Sequence, residues 1–366
     1  MKKCIFYLPY ELDEKGNGAR MVRPRKMIEA FRAIGYDVFV IQGYSEKRRA
    51  LIKELKKSIA GGAKYDFMYS ESHTEPTLLT DPHHMPTHPF LDFGFFRYVK
   101  KHGIKIGLFY CDLYWKFDEY GKNLPGWKRI SAIANYKYDI RQYRKYLDRF
   151  YIPCKVMCRY FEEKDLINMA SELPPAADDI DVSGNAGRND GRLRIFYVGG
   201  LGGHYQILEL FKAVAANEKC ELTVCCREKE WEKEKGPYLQ YLSDRIRIIH
   251  KNSHELPPYY AEADICSLLF KADEYREMAM PFKAFEYLAY EKPVLSTKGT
   301  AIGNFAEENG LGWNIEYSEE EISGVLKRIL DDPSEIGEKI NNCKEAKKRT
   351  LWTTRAQKVA DDLSGK

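Results

Sequence analysis

The sequence predicts two successive α/β units, each a parallel sheet with helices on both faces. Three observations lead there. Apolar strand-like runs alternate with segments of helical period along both halves of the chain. A glycine loop follows the first strand of each half, Gly16-Asn17-Gly18 in one and Gly199 to Gly203 in the other. A turn-rich stretch from Glu172 to Gly191, poor in large apolar residues, stands between them. At 366 residues the chain exceeds what one ordinary core supports.

In the first half, Lys3 to Leu8 reads as a strand. The glycine loop follows, then a helix from about Val22 to Ile34, with Met27, Ile28, Phe31 and Ile34 at helical spacing and Gly35 as its stop. Tyr36 to Ile41 is the next strand, which completes a βαβ unit. Tyr65 to Tyr69, Ile104 to Tyr110 and Arg149 to Pro153 read as further strands, with helices over Phe90 to His102 and Ile130 to Asp148. In the second half the strands are Leu193 to Val198, Cys220 to Cys225, Ile246 to His250, Asp264 to Leu269 and Pro293 to Ser296. Its helices are Tyr205 to Ala216, Leu256 to Ala261, Pro281 to Tyr290 and Glu319 to Leu330. The expected layout is a Rossmann-like domain over 1–170, a linker over 171–191, a second Rossmann-like domain over 192–349, and a terminal helix over 350–366 crossing back to the first domain. Open parallel sheets bind ligands beyond the C-terminal ends of their strands. Two such domains are therefore expected to face a central cleft.

Composition narrows the class. Hydrophobic residues at 44% and charged residues at 31% suit a globular protein. No run of about 18 uncharged apolar residues exists, and the first apolar run is too short for a signal peptide, so a cytoplasmic location is expected. The nine cysteines are scattered without paired C-x-x-C elements, which disfavours a zinc site. The net charge of +4 divides into +11 over residues 1–170 and −7 over 171–366. A basic first half suits a phosphate-bearing partner or an anionic membrane face.

Several constellations carry possible chemistry. In Met280 to Val294, Pro281 stands at a helix start, where its missing N–H costs nothing. Lys283 beside that N-terminus suits a diphosphate, and Glu286 one turn on suits ribose hydroxyls. The competing reading is a surface Lys–Glu pair. Gly16, Gly18 and Arg20 form a loop able to approach a substrate or phosphate closely. It is not a dinucleotide fingerprint, since Met21 replaces the third glycine and no acidic residue ends the second strand. Asp112 follows a very apolar strand at its C-terminal end, a place for a general base, with Tyr114 and Trp115 beside it as aromatic faces for a sugar. The competing role for Asp112 is a helix cap. The histidines His73, His83, His84 and His88 lie among Pro82, Pro86 and Pro89, an irregular loop without ligand spacing. His84 is taken as a catalytic candidate and His88 as part of the substrate loop.

The run Pro281-Phe282-Lys283-Ala284-Phe285-Glu286-Tyr287-Leu288-Ala289-Tyr290-Glu291-Lys292-Pro293-Val294 resembles the donor-site helix of GT-B fold glycosyltransferases, especially those related to glycosyltransferase family 4. Tyr197-Val198-Gly199-Gly200-Leu201 resembles the first strand and loop of that family's donor domain, and Leu256 to Ile265 its L-P-x-x-Y-x-x-A-D-I element. Phe109 to Phe117 resembles the F-Y-x-D-x-Y-W-x-F run of bacterial polysaccharide-assembly members. The resemblance implies that Glu286 holds the nucleotide ribose. The family's earlier glutamate falls on Met278, with Glu274 and Glu277 out of register.

The resemblance thus implies a metal-independent glycosyltransferase. It would carry a sugar from a UDP- or GDP-sugar to a growing, lipid-linked bacterial glycan at the inner face of the cell membrane. The donor would be met by Gly199, Gly200, Leu201, Gly202, Arg227, Lys283 and Glu286, with no nucleic acid and no metal involved. Two alternatives stand beside it: a nucleotide-sugar 2-epimerase on the same scaffold, and a non-catalytic nucleotide-sugar-binding partner of an assembly complex.

Overall fold

A computed structural model describes residues 2–13, 16, 18–183, 190–203 and 205–365. Asn17 of the first glycine loop and residues 184–189 of the turn-rich stretch lie outside the described residues. The chain divides into two compact units, Met1–Pro174 with Trp352–Lys366, and Pro175–Leu351.

The first unit holds β1 (Lys2–Tyr7), β2 (Tyr36–Ile41), β3 (Phe67–Glu71), β4 (Lys105–Phe109), β5 (Arg149–Ile152) and β6 (Ala170–Glu172). They form one sheet in the order β2-β1-β3-β4-β5-β6, every pair parallel. Central strands are buried on both faces, as a parallel sheet under two helical layers requires. All five residues of β3 are buried. An aromatic cluster of Phe6, Phe31, Tyr36, Phe67 and Tyr69 packs edge to face under the helix Ala19–Ala33. The helix Trp352–Ser364 packs on this unit too, with Leu363 against Gly107, where even a Cβ would meet Leu363 at 2.8 Å. Because β6 belongs to this sheet, the chain stays with the first unit through Pro174, past the expected domain end at 170.

The second unit holds β7 (Leu193–Val198), β8 (Cys220–Cys225), β9 (Ile246–Ile249), β10 (Ile265–Leu268), β11 (Val294–Thr297) and β12 (Gly312–Ile315). Their order is β12-β11-β10-β7-β8-β9, again all parallel. One helical layer packs Ile207, Leu210, Phe211 and Val214 on the sheet, and the opposite layer packs Phe285, Leu288 and Ile302.

Each order reverses once. In the first sheet the reversal falls between β1 and β3, in the second between β7 and β10. Loops leaving two such strands diverge and open a crevice, the usual ligand site of doubly wound sheets. The loops after β1 and β3, and those after β7 and β10, are therefore where chemistry is expected. All nine cysteines are free thiols.

Candidate functional site

At the reversal of the second sheet, β7 ends at Val198, whose N–H donates to the Tyr287 hydroxyl at 3.0 Å. That bond ties the strand end to the helix Phe282–Ala289, which begins after Pro281. Lys283, in its first turn, points back at the glycine loop. A Cβ on Gly199 would stand 3.0 Å from Lys283 Nζ and 2.8 Å from the Tyr197 hydroxyl, so a side chain there would have to displace the ends of both. Lys283 Nζ is shut off from solvent, makes no hydrogen bond, and lies 4.3 Å from the Tyr197 ring centroid. It does not form the surface pair with Glu286 that the i, i+3 spacing allows.

A second cation converges on the same place. Arg276, from the loop after β10, is 7% exposed, and its Nε is buried without a hydrogen bond. Its guanidinium lies 3.9 Å from the centroid of the Tyr205 ring, and Lys283 Nζ lies 5.7 Å from that same centroid. Burial pushes the Lys283 pKa down to about 7, and the positive charge of Arg276 adds to the effect. Two cations thus converge on one aromatic ring, and among the described residues neither Lys283 Nζ nor Arg276 Nε has a hydrogen-bond partner.

Glu286 lies one turn along from Lys283. Its side chain is reachable from solvent on one flank, while the Tyr260 hydroxyl approaches its Oε2 at 3.5 Å. Crowding by its neighbours desolvates the carboxylate and raises its pKa. Tyr260 and Tyr290 stack beside it with centroids 4.2 Å apart.

Four expected donor residues, Arg227, Gly199, Gly202 and Leu201, make their contacts apart from this pair of cations. Arg227 is 85% exposed, and its guanidinium is held by Glu230 at 2.8 Å, so the second buried cation is Arg276 instead. The N–H groups of Gly199 and Gly202 donate to the carbonyls of Cys225 and Tyr205 at 3.0 and 3.3 Å. Leu201 is 5% exposed and faces the core. The helix expected from Tyr205 starts only at Leu208, and this is why Tyr205 belongs to the loop over the cations. Gly200 keeps its place in that loop, its carbonyl accepting from the Tyr197 hydroxyl at 2.8 Å.

The reversal of the first sheet gathers a separate group. Gly18 is the residue before the helix Ala19–Ala33, and its carbonyl accepts from Met21 and Val22. The carbonyl of Gly16 accepts from Arg25 at 2.7 Å. Arg20 reaches across to the loop after β3, with Nη1 3.1 Å from His73 Nε2. The His73 ring stands 4.7 Å from that of Tyr10. Burial, then the charge of Arg20, holds the His73 pKa down at about 4, so this imidazole is neutral at pH 7. Glu71, at the end of β3, is fully buried against Arg23 at 3.3 Å, and burial raises its pKa. The Cys111 N–H donates to Ser72 Oγ at 3.1 Å, which joins the ends of β3 and β4. His73 and Asp112 therefore leave from neighbouring strand ends.

Asp112 accepts from the Tyr114 N–H at 2.9 Å, a local turn bond that orients its carboxylate. Tyr114 is half-buried, edge-on to Tyr120. Trp115 cannot offer a face to a sugar: it is buried, stacked on Tyr136, and its Nε1–H donates to the Tyr110 hydroxyl. His84 is exposed, contacts the Leu79 carbonyl and lies 3.6 Å from Glu75, while His88 is taken up by Ser45 and Glu46. Among the described residues no group of three His, Cys, Asp or Glu is placed to hold a metal ion. Arg276, Tyr205, His73 and Glu71 escaped assignment from sequence. Of these only His73 carried a signal, as one of the histidine group.

Two doubly wound units of six parallel strands have the architecture of the GT-B fold. Residues 192–332, which run from β7 through the helix Glu319–Asp331, match the family model of glycosyl transferases group 1. Solved structures agree in fold over the full length. Anabaena HepE in complex with UDP and glucose superposes with a TM-score of 0.63 at 11% identity, covering 100% of both chains. Sucrose-phosphate synthase from Thermosynechococcus elongatus gives 0.65 at 14%, covering 98% of each. WaaG, a glycosyltransferase involved in lipopolysaccharide biosynthesis, gives 0.58 at 12%, covering 99% of this chain and 100% of that one. No curated protein matches the chain by sequence.

Proposed function

We propose that the second unit binds the nucleoside diphosphate of a sugar donor, and that the first unit presents a hydroxyl of a growing, lipid-linked glycan to it. One observation carries the donor half: Lys283 Nζ and Arg276 Nε are shielded from solvent around the Tyr205 ring and, among the described residues, have no hydrogen-bond partner. A diphosphate resolves the repulsion between them and supplies the missing hydrogen bonds, without requiring a metal ion. Glu286, one turn on, is the candidate partner for the attached ribose. The UDP seen in HepE supports a uridine diphosphate donor as the first choice, with guanosine diphosphate as the second.

On the acceptor side, Asp112 is the candidate base, with neutral His73 next in line and His84 farther out on the loop. Arg20 and the turn at Gly16 and Gly18 border the same strand ends. The basic first unit supports contact with anionic membrane lipid, where a lipid-linked acceptor would reside. The reaction is tested by incubating the protein with donor and a panel of lipid-linked acceptors. Release of nucleoside diphosphate that depends on acceptor is the expected result. Epimerised donor in the absence of acceptor would establish the 2-epimerase instead.

A further inference from the structure

The helix Gly126–Tyr146 buries one face through Ala132, Tyr136, Asp139, Ile140, Tyr143 and Tyr146. Its opposite face carries Trp127, Ile130, Ser131, Ala134, Lys137 and Arg141, all exposed at helical spacing. At its start this face is apolar to a degree that a water-facing helix seldom is. Trp127 is 67% exposed and Ile130 71%, with Leu124 of the preceding turn at 45%. Isolated exposed apolar residues are ordinary, but a large aromatic and two aliphatic side chains within two turns form a patch that favours a partner.

Basic residues predominate around the patch. From Tyr120 to Tyr138 the chain carries Lys122, Lys128, Arg129 and Lys137 and no acidic residue. Lys128 Nζ lies 5.6 Å from the Trp127 ring centroid, so charge and aromatic surface are presented together. Lys122 is paired with Glu119 at 3.3 Å, on the near side of the preceding turn. Three apolar side chains are far too few for a stable protein dimer, which needs roughly 20–30 residues a side. They suit an interface where Trp sits at headgroup depth, aliphatic side chains enter the acyl boundary and basic residues meet lipid phosphates.

We infer that Leu124, Trp127 and Ile130, ringed by Lys122, Lys128 and Lys137, form the surface through which the first unit docks on an anionic lipid bilayer. The inference rests on the membrane reading above and gives it a location. No helix among the described residues is long and apolar enough to cross a bilayer, so this contact would be interfacial.

The test is sedimentation with phosphatidylcholine vesicles, with and without about a third phosphatidylglycerol, at low salt. It compares the unaltered protein with the double variant W127E/I130E and with K128E/K137E. Circular dichroism and nucleotide affinity report whether each variant is folded. The expected result is recovery with anionic vesicles only, reduced about tenfold or more in W127E/I130E and several-fold in K128E/K137E. A blue shift of tryptophan emission on vesicle binding should be lost in W127F. If the unaltered protein ignores anionic vesicles, the wider membrane reading fails and this surface with it. If it binds but W127E/I130E binds equally well, the location is overturned while the wider reading stands. A dimer in sedimentation velocity that dissociates in W127E/I130E, with vesicle binding unaffected, would assign the patch to a second copy of the chain and overturn the proposal.

Discussion

Lys283 is a lysine whose surroundings oppose its charge, and its behaviour separates a binding role from a structural one. In the empty protein its pKa is pushed from 10.5 down to about 7. The unfolded chain therefore binds more protons between those two values, and this residue makes the empty protein more stable as pH rises through that window. Lys283→Met should accordingly raise the melting temperature at pH 7 while weakening nucleoside diphosphate binding. A charge-assisted hydrogen bond is worth about 1.5–3 kcal/mol, so the loss should be about tenfold or more. A diphosphate favours the protonated amine. Affinity in the unaltered protein should then fall above pH 7, by up to about tenfold per unit. A flat profile in calorimetric titrations from pH 6.5 to 9 would remove Lys283 from the phosphate site. Glu286→Ala should cost about tenfold in nucleotide affinity with the fold intact. Asp112→Asn should lower turnover by about 10²–10⁴-fold with nucleotide affinity close to unaltered. Since the Asp112 carboxylate also caps the Tyr114 N–H, a near-normal rate for that variant would leave it a turn-former only.

The elements that sequence reading recovered are those whose apolar residues keep an unbroken period. The strands β1, β4 and β7 are nearly continuous apolar runs, and the Lys–Glu helix is marked by its proline and its spacing. The helix Ser45–Ala60 was missed because its core-facing stripe is Ser45, Arg48, Ile52 and Leu55. A charge occupies an inward position there, made possible by Asp92, which accepts from Arg48 Nε at 3.0 Å. Such a pair is invisible until the fold brings Arg48 and Asp92 together. Arg276 and Tyr205 were missed for a related reason: both lie in loops, whose course no period announces. The glycine loop was legible, its use was not. Gly202 has φ +82°, and a Cβ there would run into the Glu234 side chain. Gly202→Ala should destabilise by about 1–2 kcal/mol from left-handed strain alone, measured by urea unfolding. An unchanged midpoint would mean that this turn is not held as described.

Across the whole molecule, the repeated architecture conceals a division of labour. Both sheets reverse direction once, and both present polar groups at that reversal, but the groups differ in kind. The second unit offers two shielded cationic atoms, Lys283 Nζ and Arg276 Nε, without hydrogen-bond partners among the described residues, together with a carboxylate one turn away. The first offers a neutral imidazole, an arginine and a carboxylate at adjoining strand ends. The proposed donor binding in one unit and acceptor activation in the other rest on that contrast. The charge split of +11 against −7 adds that the acceptor side is the basic one, suited to an anionic lipid carrier. The donor claim is the centre of the account, and isothermal titration of UDP and GDP into the unaltered protein and into R276A and K283M tests it most directly. The account predicts one nucleotide bound per chain, with affinity reduced about tenfold or more in each variant while both remain folded. Failure of the unaltered protein to bind either nucleotide, or equal affinity in all three proteins, would contradict it.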